Sequence, residues 1–137
     1  MDRITKIQRS QNMSKIRSKD TIIEVLVRRA LFSKGIRYRK NFRGLPGSPD
    51  ITITSKKIGI FINGCFWHGH SGCNYYRVPQ TNTEYWVIKI NRNIERDKRN
   101  TEELENIGWK VIVVWECEVK NNFDELIERL LKEISEV

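Results

Sequence analysis

Cysteine and proline are both scarce in this 137-residue chain, at three each. So few cysteines, and an odd number of them, argue against a disulfide scaffold and for thiols kept reduced, with the cytoplasm as the expected compartment. No run of 18 apolar residues occurs, so no transmembrane helix is expected. The first 20 residues are polar and basic without an apolar stretch, so no secretory leader is expected either. Internal repeats, linkers and low-complexity segments are also lacking. What is present is 39% hydrophobic and 31% charged residues, enough for one folded domain with a core that needs no disulfides.

The charge is unevenly spread. Residues 1–43 carry thirteen Lys or Arg against three Asp or Glu, whereas the remainder is close to neutral. A basic N-terminal third on a near-neutral body points to a polyanion, with nucleic acid the natural partner and salt-sensitive binding the consequence. Residues 1–19 alternate cations with small polar residues and show little periodicity, so they are expected to be a DNA-contacting arm. A single domain is expected over 20–137.

Thr21-Ile22-Ile23-Glu24 has the form of a capping box. The helix it opens puts Ile23, Leu26, Val27, Ala30 and Leu31 on one face, and Gly35 closes it. A short basic strand is expected over 36–42, then a dense turn from Gly44 to Pro49. Two strands, 50–54 and 57–62, form a hairpin through Ser55-Lys56. Helical periodicity runs from about Thr83 to Asn106, with Trp86, Ile90, Ile94 and Leu104 at helix spacing, and Gly108 ends it. A strand over 109–115 and a last amphipathic helix with Phe123, Leu126, Ile127, Leu130, Leu131 and Ile134 inward complete a mixed α/β sandwich.

Both histidines and two of the cysteines fall in Gly64–Cys73. Cys65, His70 and Cys73 form a C-x4-H-x2-C pattern, and Cys117 can supply a fourth ligand to one tetrahedral zinc ion. That leaves His68 as a spare imidazole, a side chain suited to a general base. Asp50, after Pro49 at a strand start, is a natural Mg²⁺ ligand for phosphodiester hydrolysis. The acid-any-lysine pattern that often follows Pro-Asp in metal nucleases is missing, since Ile60-Phe61-Ile62 offers neither group.

Several separated segments together resemble the very short patch repair (Vsr) endonucleases. They are Arg9–Met13, Arg17–Glu24, Leu45–Asp50, Gly64–His68, Asn93–Arg99, and Gly108-Trp109 with Val114–Cys117, in the family's order over nearly the whole domain. The resemblance implies a restriction-endonuclease-like core, a mixed sheet flanked by helices, with a structural zinc loop. It implies strand-specific nicking 5′ to the thymine of a T·G mispair left by 5-methylcytosine deamination, with Mg²⁺ as the catalytic ion. Asp50 and the backbone carbonyl of Ile62 resemble the magnesium ligands. His68 resembles the general base, Asp97 the acid that orients it, and Glu24 an accessory acid whose other role is the helix cap. Cys65, His70, Cys73 and Cys117 match the zinc ligands. Phe66, Trp67 and Trp86 match aromatics wedged beside the mismatch, and Met13 matches a residue inserted by the arm. Lys15, Arg17 and Lys19 are the expected phosphate contacts of that arm. Expected partners are mismatched double-stranded DNA and mismatch-repair proteins, with no membrane, for a monomer working at the bacterial nucleoid. Where some family members carry Thr-His before Gly-Cys, this chain has Ile62-Asn63. An amide there can hydrogen-bond a phosphate oxygen but cannot carry charge or shuttle a proton. Two other readings use the same residues: a restriction-type nuclease acting on matched duplex, and a non-catalytic zinc module that only binds DNA.

Overall fold

The computed structural model describes residues 21–40, 42–73 and 78–137. The expected arm, with Met13, Lys15, Arg17 and Lys19, lies outside the described residues. The elements are α1 (Ile22–Ser33), β1 (Arg39–Lys40), β2 (Ile51–Ile53), β3 (Ile58–Asn63), α2 (Thr83–Asn106), β4 (Lys110–Trp115), α3 (Glu116–Asn121) and α4 (Phe123–Ser135). The strands form one mixed sheet in the order β1-β2-β3-β4. The first two pairings are antiparallel, and β3 runs parallel to β4 because α2 makes the crossover between them.

Alternation along the strands divides the sheet into two faces. Ile51, Ile53, Ile58, Ile60, Ile62, Ile112 and Val114 share one face and form the main core with Val27 and Leu31 of α1, Val119 of α3, and Leu126, Ile127, Leu130 and Ile134 of α4. The opposite face, with Phe61, Asn63, Val113 and Trp115, looks toward α2. The long helix buries only Ile90 and Leu104, and none of the helices is long and apolar enough to cross a membrane among the described residues.

Thr21 caps α1 as expected: its Oγ1 accepts the Glu24 backbone N–H at 3.4 Å. The Glu24 side chain turns inward beside Arg28, 3.8 Å away, so the motif both starts the helix and buries a carboxylate. The hairpin forms, with Lys57 in the left-handed region at its turn.

The structure corrects four expectations. The strand over 36–42 shrinks to Arg39–Lys40, because Ile36 donates to Leu31 O and the Tyr38 hydroxyl to Arg28 O, tying this segment to α1. Trp109 lies outside β4, since its N–H closes the end of α2 on Leu104 O. Cys117 sits in the short helix α3, absent from the expected order because six residues show no readable period. Leu26 and Ile94 are exposed rather than inward, at 44% and 40%. Leu26 lies off the Val27–Leu31 stripe, and Ile94 lies at a cavity instead of the core.

Candidate active site and metal cluster

The loop after β3 is wound tightly by its own backbone. His68 N–H donates to Gly64 O at 3.2 Å, and His70 N–H donates to Cys65 O at 2.9 Å. Gly69 holds φ at +60° with the loop pressed onto α2, and a Cβ there would lie 2.7 Å from Ile94 Cδ1 and 2.8 Å from Ile90 Cγ2. Only glycine meets both demands. Asn93 of α2 fixes the same loop by donating from Nδ2 to Trp67 O at 2.8 Å. The two flanking histidines are thereby sent to different places.

His70 goes to the thiols. The ligand atoms of Cys65, His70, Cys73 and Cys117 all lie within 4.8 Å of one another, and Cys117 Sγ is 3.5 Å from His70 Nδ1. The His70 ring stacks on Trp115, with centroids 4.0 Å apart and planes 7° from parallel. The Cys117 N–H donates to Cys65 Sγ at 3.4 Å, and Glu116 Oε1 accepts the Cys65 N–H at 3.3 Å. Burial pushes the Cys65 thiol up to about 12, and burial likewise raises Cys117. Thiolates crowded in this way require a cation to be charged together. Tetrahedral zinc with bonds of about 2.3 Å to sulfur spaces its ligand atoms by roughly 3.8 Å, so the donor set fits such an ion.

His68 goes to the other side. Its Nδ1 lies 2.5 Å from Asp97 Oδ2 on α2. Both line a cavity of about 520 Å³ with Asp50, Ile62, Asn63, Arg43, Arg96 and Asn100. Asp50 precedes β2 and reaches across to β3, where its Oδ2 accepts the Ile62 N–H at 2.7 Å. Burial raises the Asp50 carboxyl from 3.8 to about 7; the Ile62 N–H opposes this, the Glu24 carboxylate adds to it, and the Arg28 guanidinium opposes it. A cation at this half-buried carboxyl would favour its charged form, and a carboxylate oxygen is a suitable ligand for a hard divalent ion. The structure therefore gathers Asp50, Ile62, His68 and Asp97 about one cavity, with Glu24 near enough to act on Asp50 electrostatically.

Phe66, Trp67 and Trp86 pack edge to face, with centroids 5.2–5.8 Å apart, and Tyr85 joins them at 5.2 Å from Trp86. Lys89 lies over the Trp67 ring at 5.8 Å. Trp86 is thus half-buried in an aromatic group apart from the main core.

The chain has close relatives. The family model described as "DNA mismatch endonuclease Vsr" matches residues 1–75. A type II nicking enzyme, V.NmeAIP, from Neisseria meningitidis serogroup A is 52% identical over 137 residues, covering 98% of this chain and 97% of that protein. The DNA mismatch endonuclease Vsr of Escherichia coli K12 is 40% identical over 128 residues, covering 93% of this chain and 81% of that protein. This chain belongs to the Vsr family. It is a DNA endonuclease.

Several cavity residues of this Vsr-family chain carry no clear signal in the sequence: Arg43, Asn100 and Thr101 have no expected part there, and Arg96 enters only within a matching segment. Asn100 and Thr101 stand three and four residues after Asp97 on α2, the spacing that shares a helix face, and this could have found them. Arg43 reaches the cavity from a loop and leaves no such signal. Glu116 likewise enters only within a matching segment, because its service to the Cys65 N–H depends on α3.

Proposed function

We propose that this protein is a Mg²⁺-dependent, zinc-stabilised endonuclease that nicks one strand 5′ to the thymine of T·G mispairs arising from 5-methylcytosine deamination. The observation that carries this reading is the His68–Asp97 pair sharing a cavity with the half-buried Asp50 carboxyl.

In this reading Asp97 holds His68 through Nδ1, which leaves Nε2 to take the proton from the attacking water. The Asp97 carboxylate then steadies the imidazolium. Asp50, anchored by the Ile62 N–H, and the Ile62 carbonyl would hold the catalytic ion, and Glu24 acts as an accessory acid. Magnesium supplies Lewis-acid stabilisation of charge on the phosphate. Arg43 and Arg96 offer guanidinium groups to backbone phosphates. Cys65, His70, Cys73 and Cys117 hold zinc, which fixes the loop that carries His68.

Phe66, Trp67 and Trp86 act as wedges at the mispair, where unstacking costs least. Residues 1–19 act as a separate basic arm on the 20–137 domain, with Met13 inserted into DNA and Lys15, Arg17 and Lys19 on phosphates. The core is of restriction-endonuclease type, and the protein works as a monomer in the bacterial cytoplasm at the nucleoid, alongside mismatch-repair proteins. The E. coli relative, named a mismatch endonuclease, supports the substrate.

The test is a nicking assay on T·G and C·G duplexes, each strand labelled in turn, with and without Mg²⁺. A nick only in the thymine strand, only at the mismatch and only with the ion is expected. Cutting of both duplexes would replace this reading with a restriction-type nuclease. Binding without any nick, across varied flanking sequences, would replace it with a DNA-binding module.

A further inference from the structure

A metal-bound histidine is usually oriented through its second ring nitrogen, which donates to a carboxylate or a backbone carbonyl. His70 does not follow that pattern. Its Nδ1 faces the thiols, 3.5 Å from Cys117 Sγ, and its Nε2 makes no hydrogen bond to a described residue. What the ring does meet is Trp115, in a parallel stack with centroids 4.0 Å apart and planes at 7°. The other ring pairs among the described residues, between Phe66, Trp67, Tyr85 and Trp86, are all edge to face. Trp115 is itself firmly held. It ends β4 opposite Asn63 of β3, and its backbone N–H donates to Glu118 Oε1 at 3.1 Å. Arg129 holds Glu118 in turn, donating from Nη1 to Oε2 at 2.6 Å. The indole is no part of the main core; it lies on the sheet face toward α2, where it and His70 line a cavity of about 600 Å³.

We propose that Trp115 is a positioning residue of the metal cluster: its stacked indole sets the plane of the His70 imidazole and takes the place of the missing hydrogen-bond acceptor. The inference rests on the reading of the four donors as a zinc site and adds a residue to it. The outer torsion of a histidine side chain has broad minima, so an imidazole with no second partner would aim Nδ1 at the ion for only part of the time. A flat indole, fixed by the sheet and by Glu118, removes that freedom before the ion arrives. Cys117 follows Trp115 by two residues, and His70 follows His68 by two. One stack therefore ties the start of α3 to the loop that carries His68.

The test compares the full chain with Trp115→Phe, Trp115→Leu and Trp115→Met. Zinc release to an excess of chelator, visible absorption of the cobalt-substituted form, and melting temperature are measured on each. Losing the partner that orients a metal-bound histidine costs roughly 10–100-fold in metal affinity. Trp115→Leu and Trp115→Met fill the space without a flat ring, so they should release zinc at least about 10-fold faster. Their cobalt bands, which report the ligand geometry, should shift or weaken. Trp115→Phe keeps an aromatic face and should stay within about threefold of normal with its cobalt spectrum intact. A merely structural role would lower the melting temperature of all three and leave the cobalt spectrum of the folded proteins unmoved. Zinc release within about threefold of normal and an unchanged spectrum in folded Trp115→Leu would overturn the proposal, as would Trp115→Phe losing zinc as fast as Trp115→Leu. If Trp115→Leu does not fold, Trp115→Met is measured in its place, and the same outcomes decide. An unaltered chain that takes up neither zinc nor cobalt would remove the zinc reading itself, and this inference with it.

Discussion

Toward α1, α3 and α4 the sheet presents seven aliphatic side chains, all buried and packed on one another. Toward α2 it presents Phe61, Asn63, Val113 and Trp115, and the cavity on that side gathers Asp50, His68 and Asp97. The same strands supply both faces, and the two-residue period of the backbone keeps them apart. One face can then be optimised for packing, while the other tolerates a raised carboxyl. The difference teaches that damage on the two faces should show up in different measurements.

The largest expected effect lies at the edge of the α2 face, where the four metal donors tie the loop after β3 to α3. Structural zinc in such a set contributes on the order of 10 kcal/mol to folding. Cys65→Ser or chelation should therefore lower the melting temperature sharply and abolish nicking together, and metal analysis should find one zinc per chain. Unchanged melting after complete metal removal would break the link between cluster and fold.

On the opposite face, Ile60→Ala removes a fully buried side chain from the core. A loss of roughly 2–5 kcal/mol in denaturant unfolding is expected. Nicking measured well below the midpoint should stay near normal. A large rate loss in the folded variant would show that the two faces are coupled more closely than their separation suggests.

A smaller effect concerns Asp50 and pH. Its carboxyl is raised in the folded protein from 3.8 to about 7, mainly by burial. The folded state thus holds a proton that the unfolded chain releases. The associated stability is present below pH 4 and is lost as pH rises through about 7, which corresponds to about 4 kcal/mol. Asp50→Asn cannot ionise, so without added magnesium its stability relative to the unaltered protein should climb between pH 4 and 8. A flat difference across that range would mean the carboxyl is not buried as the structure has it. The same variant should lose nicking, the expected trade between stability and function at an active site.

Much of this arrangement was legible in the residues. The span of α2 follows from its periodicity from Thr83 to Asn106, and the spacing of Cys65, His70 and Cys73 singled out a metal set that the fold closes with Cys117. Pro49-Asp50 marked a carboxylate at a strand entry, and the fold brings it to His68. What was not legible depends on contacts distant in sequence. The loss of Ile36–Tyr38 from β1 comes from hydrogen bonds back to α1, and α3 is too short to carry a period. Asn63 stood out in the sequence only as a departure from the family's Thr-His pair, and the face it shares with the cavity depends on the β3–β4 register. Gly69 gives no hint in the sequence of Ile90 and Ile94 pressing on it.

The most direct test of the division between the faces is His68→Ala, followed by thermal melting and single-turnover nicking on the same preparation. The side chain is partly exposed and belongs to no core cluster, so melting should hardly change. If His68 is the proton acceptor proposed, its loss should slow nicking by at least about 100-fold, in the usual range for a positioned base. A folded His68→Ala protein that nicks within about threefold of normal would contradict the account, because the α2 face would then lack the base on which its chemistry depends.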